Sequence, residues 1–502
     1  MNLLSKIKPW NFGLIAALGL WLMVWAGYNA NFWRVVVASF PLSFLDAFQG
    51  MRAFLPLLAM VLAIIFIAVK KYAMPKGFFL KPLGLFLLYS LVGIFSSIFS
   101  KDLSWALYWA AMYGAVVMVL VALSYGHSSL KKIASIISLN WFIAGFLSVA
   151  LTAFFLIQPG ITHSLTINFL FCAGRAYEGF GGVSAAVQTF GMPGTRPTGL
   201  GRYAAIMALV AFCRFLYTPK KGLKIVWLAA FVLGLAILLF SKGKTEILVF
   251  VFSLASILVI GKRLKWYLVI LLAAIMMVSG TVIFYNIPCS NSTNFLTYFL
   301  PKKPAPVAPI MPVTPALPVT PAPSVNPRPL PTPASIPPPP PPAPAMQAPP
   351  VPPPVVIKPK ATSAILTLSG RTNGVWADAW NLFLTSPWLG YGFQADRIFL
   401  NGQNAHNTLL HTLIQTGIIG TVPFILAGLL IFYMLYRLLR NPNLPPIQKT
   451  FLLEITAVLI FLILRGITES FAFYSADWLF MAPIIAYIQV LYLGAEKLDK
   501  PA

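Results

Sequence analysis

Apolar positions along this chain gather into long unbroken runs, separated by short polar segments that are mostly basic. Runs of roughly 17 to 25 residues recur over nearly the whole length, and about 20 helical residues are needed to cross a bilayer core. The pattern predicts membrane-spanning helices at 12–30, 52–69, 82–100, 105–125, 133–157, 201–217, 225–241, 244–261, 266–284, 408–438, 450–467 and 476–494. The fold class expected is therefore all-α: a polytopic membrane protein of about twelve transmembrane helices. It divides into N-terminal spans over 1–284, a large loop over 285–407 and C-terminal spans with a short tail over 408–502. The opening MNLLSKIKPW has no small-residue cleavage site, and the run after it is long enough to stay as a span rather than act as a removable signal.

Composition agrees. Of 502 residues, 59% are hydrophobic and 9% charged, against about 25% charged in soluble domains. The net charge of +25 would suit nucleic acid, but its distribution excludes that partner, because no basic stripe interleaved with aromatics occurs. Instead the basic residues cluster between spans: Lys6 and Lys8; Lys70, Lys71 and Lys76; Lys131 and Lys132; Lys220, Lys221 and Lys224; Lys262, Arg263 and Lys265; Arg437, Arg440 and Lys449. All six clusters fall on one side of the predicted topology. The positive-inside rule makes that side cytoplasmic, with both termini there, and points to a bacterial inner membrane.

Three outer segments remain. Residues 31–50 are aromatic and amphipathic, suited to lie along the interface. Residues 158–200 form a Gly-rich loop, and 285–407 form the largest outer (periplasmic) loop. Within it, 301–360 holds 26 of the chain's 43 prolines, including the run Pro337 to Pro342. Proline lacks an N–H and fixes φ, so this tract reads as a polyproline II spacer, either an inert insertion or an arm that docks a partner. Residues 361–407 regain a mixed composition. Trp376, Trp380 and Phe383 recur at helical spacing beside Asp378 and Asn381, and Pro387, Gly390 and Gly392 then break the pattern. The helix suits either an interfacial lid or an ordinary packed loop helix.

Candidate chemistry on the outer side is sparse. Among four histidines, His406 stands where the large loop re-enters the membrane, followed by Asn407 and His411. Imidazole titrates near neutrality, so His406 is a candidate general base. Arg175, Arg196 and Arg202 bracket the Gly-rich loop, Arg371 stands in an SGR segment and Arg465 lies near the outer end of a span. A permanently charged guanidinium grips phosphate oxygens with two parallel N–H groups, so paired arginines over a bilayer suit a pyrophosphate head group. Glu246, just inside a span, has Lys242 and Lys244 nearby as ion-pair partners. Charges inside spans face cavities or partners.

Only 11 acidic residues occur, with no Asp-x-Asp and no carboxylate pair in an outer loop, so no metal or other cofactor is expected. SKGKT holds only a fragment of a nucleotide-binding loop. Cys172, Cys213 and Cys289 fit no metal spacing; Cys172 and Cys289 fall in outer segments, where they are either a disulfide or two thiols.

The order of motifs at 369–420 adds a family resemblance. SGR, a Trp-containing stretch, SPWLGYGF and AHNTLLHTLIQTGIIG resemble the signature of the O-antigen ligase/polymerase family, and RPTG at 196–199 resembles the Arg-x-x-Gly of its preceding outer loop. The resemblance implies a GT-C-like membrane glycosyltransferase with an undecaprenyl-pyrophosphate-linked glycan as donor and lipid A–core, a growing glycan or a protein as acceptor. It implies metal-independent transfer with inversion at the anomeric carbon. By position, Arg196 and Arg371 would hold the pyrophosphate and His406 would act as base, with Asn407, Arg202, Lys242, Lys244 and Arg465 as further substrate contacts. Two departures stand out: Ser241-Lys242 where the family often has Ser-Arg, and Arg202 where an Asn often follows Arg-x-x-Gly. A transporter is the non-enzyme alternative, but it predicts internal repeats and charges at mid-membrane depth, and the sequence shows no repeat and few such charges.

Overall fold

A computed structural model of the chain describes residues 9–28, 44–72, 76–125, 129–157, 197–241, 244–261, 374–400, 402 and 404–498. Regular structure among them is entirely helical. The helices are α1 (Pro9–Ala26), α2 (Phe44–Val69), α3 (Pro82–Ser96), α4 (Leu103–Ser124), α5 (Ser129–Ile157), α6 (Pro197–Tyr217) and α7 (Lys221–Phe240). They continue with α8 (Lys244–Ile260), α9 (Trp376–Thr385), α10 (Ala395–Phe399), α11 (Thr408–Arg440), α12 (Pro446–Arg465) and α13 (Ala476–Leu498). Nine helices among the described residues are long and apolar enough to cross a membrane: α2 to α7 and α11 to α13. Shorter apolar helices at Gly13–Ala26 and Thr245–Ile260 occupy two more of the expected spans. The expected span at 266–284, residues 158–196 of the Gly-rich loop and the proline tract lie outside the described residues, as do Cys172 and Cys289; residues 197–200 already belong to α6, and Cys213 is a buried free thiol.

A helix apolar on all sides belongs in a core, and α4 fills that role. Tyr113 of α4 stacks on Trp478 of α13 with ring centroids 4.4 Å apart. By contrast α7 turns Ile225, Val226, Val232 and Leu233 outward, a surface suited to lipid tails.

With no water in the bilayer core, backbone groups released by proline must find partners inside the protein. Pro483 in α13 lacks the N–H that would bond the Leu479 carbonyl. Asn140 of α5 supplies it: Nδ2 donates to Leu479 O at 2.9 Å, while Oδ1 accepts the indole N–H groups of Trp21 at 2.8 Å and Trp25 at 2.9 Å. One buried amide thus ties α1, α5 and α13 together. In the same way Gln489 Oε1 accepts the Leu83 N–H in the first turn of α3 at 3.0 Å.

The largest departure from regularity is in α11. Gly417 has φ 57° and ψ −161°, which breaks the helix. The break frees the carbonyls of Ile414 and Gln415 and the N–H groups of Ile418 and Ile419. The segment after α9 replaces all four partners. Tyr391 N–H donates to Ile414 O and Gly392 N–H to Gln415 O, both at 2.8 Å. Ile418 N–H donates to Pro387 O at 2.8 Å and Ile419 N–H to Trp388 O at 3.1 Å. Glycine is required on both sides of this ladder. A Cβ on Gly390, at φ 67°, would lie 2.5 Å from Ile414 O, and one on Gly417 would collide with the Trp388 carbonyl.

Candidate active site

The N-terminus of α11 is held by a dense set of local bonds. Asn407 is its N-cap: Oδ1 accepts the Leu410 N–H at 3.0 Å, and Nδ2 donates to Ile467 O at 3.0 Å. Thr408 N–H donates to Gly466 O at 2.9 Å, tying this turn to the end of α12. His406, just before the cap, sits at φ 48°, in the left-handed region that non-glycine residues seldom adopt. Its N–H donates to Asn404 Oδ1 at 3.0 Å. These bonds aim the imidazole at the α12–α13 loop, where Nδ1 lies 2.9 Å from Glu469 Oε2.

That pair is the chemically distinctive feature of this end of the bundle. Both side chains are part-exposed, His406 at 27% and Glu469 at 21%. A carboxylate on Nδ1 selects the tautomer with the proton there and leaves Nε2 with its lone pair. The arrangement can accept a proton from a hydroxyl and hold the resulting imidazolium.

Behind His406 runs a fully buried polar column. Asp396 of α10 accepts the Ala405 N–H through Oδ2 at 2.9 Å, and the same oxygen is 3.3 Å from His411 Nδ1. His411 lies against Phe473, ring centroids 5.0 Å apart. With its amide oriented to satisfy both ends, Gln415 accepts from His411 Nε2 and Gln394 N–H and donates to Tyr89 OH at 2.8 Å. Ala379, Phe383, Ala395, Ala405 and Ile414 close an apolar cluster over it.

A second set of charges lies at the same helix ends. Arg465 Nε bonds Glu246 Oε1 at 3.0 Å, and Arg465 Nη1 bonds Asp477 Oδ2. Arg202 Nη1 lies 3.3 Å from Asp477 Oδ1, and its Nη2 donates to Tyr28 OH at 3.1 Å. Two cations and two carboxylates, all buried, thus balance one another and join α6, α8, α12 and α13, with α1 reached through Tyr28. Charges taken from water need such pairing. Nearby, Tyr474 donates to Val24 O, and burial pushes its phenol well above the ordinary tyrosine range, so it stays a neutral donor.

The expected site residues are therefore distributed unevenly. His406 and Asn407 stand together at the start of α11, and Arg202 and Arg465 belong to the buried ion network. Lys244 opens α8, its side chain beyond what is described; Arg196, Arg371 and Lys242 lie outside the described residues. Glu246, for which the sequence offered Lys242 and Lys244 as partners, bonds Arg465. Sequence reading missed Glu469, Asp396 and Asp477. In a chain with 11 acidic residues, scarcity marks Glu469 and Asp477 beside the ends of spans, though not their partners; Asp396 lies inside the large loop, where no local signal marks it.

Fold and site together define a multi-pass helical membrane protein with a histidine–carboxylate pair at one end of the bundle. The family model described as O-antigen ligase matches residues 229–425, a stretch that contains His406 and the broken half of α11. The match supports a ligase/polymerase type of glycosyltransferase in general. No curated protein and no solved structure matches the chain significantly.

Proposed function

We propose that the protein moves a glycan from undecaprenyl pyrophosphate to an acceptor hydroxyl of lipid A–core, at the periplasmic face of a bacterial inner membrane, with both termini cytoplasmic. The observation that carries this reading is the part-exposed His406–Glu469 pair, whose histidine stands at a helix N-terminus inside the family-matched stretch. In this reaction His406 Nε2 takes the proton of the acceptor hydroxyl as its oxygen attacks the anomeric carbon, and Glu469 stabilises the imidazolium. The glycosyl–phosphate bond breaks on the opposite face of the sugar, so the configuration inverts and undecaprenyl pyrophosphate leaves.

The leaving group gathers negative charge that must be met. Arg371 and Arg196 meet it as permanent cations, with Lys242 and Lys244, and this needs no metal ion or other cofactor. Asn407 serves by capping α11 and so fixing where His406 begins. Arg202 and Arg465 enter through their network, since a donor phosphate reaches them only by displacing Asp477 or Glu246. Polymerisation of glycan units or transfer to protein differs only in the acceptor.

Substitution in cells tests the reading. His406→Ala, Arg371→Ala and Arg196→Ala, each at wild-type membrane abundance, are expected to abolish attachment of surface glycan to lipid A–core. Intact attachment in all three would sink the proposal.

A further inference from the structure

Helix α9 divides its circumference three ways, and that division indicates what covers it. At about 100° per residue, Ala379 and Phe383 share one sector, which is buried against Ala395, Ala405 and Ile414. Trp380 and Leu384 share the next sector and are 46% and 55% exposed. Asp378, Asn381 and Thr385 form the third, exposed and polar. A helix packed only against protein and water needs two sectors. The extra apolar sector, lying between the buried and the polar one, calls for a third surrounding medium.

The apolar sector does not end with the helix. Trp388, 64% exposed, follows in the turn, and its carbonyl accepts the Ile419 N–H at 3.1 Å. Ile418, Ile419 and Val422 of α11 are exposed there, and α11 is a span whose outward surface continues with Ile425, Leu426 and Leu429. One apolar surface therefore runs from the lipid-facing side of α11 onto α9. The backbone ladder at the Gly417 break fixes this junction, so α9 is a docked element and its orientation is set.

We propose that α9 lies in the headgroup–acyl boundary of the bilayer as an interfacial anchor, with Trp380, Leu384 and Trp388 in lipid and Asp378 and Asn381 in water. Indole rings favour this boundary because a flat apolar body and an N–H can each meet a suitable medium. The buried side of the same helix packs on Ala405, so the anchor sets the depth of the His406 turn relative to the headgroups. That is the depth at which the phosphates of a lipid-linked donor lie. The anchoring itself rests on surface geometry alone and stands or falls independently of the catalytic reading.

Spin-label accessibility on the full chain in phosphatidylethanolamine/phosphatidylglycerol vesicles tests it. Single cysteines are introduced as Trp380→Cys, Leu384→Cys, Trp388→Cys, Asp378→Cys and Asn381→Cys after Cys172, Cys213 and Cys289 are replaced. Labels at 380, 384 and 388 should be reached by oxygen and shielded from a polar nickel chelate, with the reverse at 378 and 381. Equal chelate access at 384 and 381 overturns the proposal. Exclusion of both reagents at 380, 384 and 388 also overturns it, because a second copy or another segment of protein then covers the face. The native-cysteine chain gives an independent measure. Lipids brominated near the headgroup should quench its tryptophan emission more than that of the Trp380→Phe, Trp388→Phe variant, and equal quenching counts against the anchor.

Discussion

At the scale of single residues, His406 is defined by what surrounds it. Glu469 takes its Nδ1, Asn404 takes its N–H, and Asp396 takes the N–H of Ala405 behind it. The left-handed backbone of His406 persists because these bonds over-determine it. Asp396 touches no reactant, so it acts by positioning. Asp396→Ala should lower kcat about 100-fold, the cost of an ångström-scale misplacement, with KM for the lipid-linked donor little changed. Asp396→Asn, which keeps an oxygen for Ala405, should recover most of the loss. Equal kcat per folded molecule in Asp396→Ala and wild type would remove this role. His406 and Asn407 were legible in the sequence because histidines are few and the AHN turn marks a re-entry point. Glu469 was not, because the pair spans 63 positions and local pattern carries no information about such a closure.

At the scale of elements, hydropathy located the nine spans found among the described residues, since burial in lipid demands unbroken apolar length. It read 408–438 as one continuous helix, whereas the structure breaks α11 at Gly417. Hydropathy is blind to that break because the replacement hydrogen bonds come from the backbone of 387–392, not from side chains. Pro387, Gly390 and Gly392 were recognised as ending a helix, but their service to a distant helix needed the fold. The lid alternative for α9 also meets a physical objection here, because four backbone bonds hold the segment that follows it. Gly417→Ala should cost about 2–4 kcal/mol from a left-handed alanine and its collision with Trp388. A lowered thermal midpoint of the purified protein in detergent would show it, and an unchanged midpoint would contradict the account of the break.

At the scale of the whole molecule, two ion-pair systems, one buried and one with a part-exposed arginine, hold opposite ends of the helices. Arg202, Asp477, Arg465 and Glu246 join helix ends beside the His406 turn. Arg214 of α6 and Glu454 of α12 form a two-bond pair at the other end, both contacts 3.1 Å, with Arg214 also over the Trp227 ring at 4.8 Å. Helices fixed at both ends form a stiff frame, so the reacting groups are placed by the frame and α11 rather than by a loop searching for its substrate. Arginines read from the sequence alone look alike; the fold separates Arg202 and Arg465, already matched by carboxylates, from the positions proposed to meet the donor. The most direct test of the central claim uses purified full-length protein in vesicles, with an undecaprenyl-pyrophosphate-linked oligosaccharide as donor, lipid A–core as acceptor and a chelator present. Transfer should proceed with inversion, and His406→Ala should reduce kcat by about 10²–10⁴-fold, the range of general-base catalysis. Transfer by His406→Ala at the wild-type rate, or loss of wild-type transfer to the chelator, would contradict it.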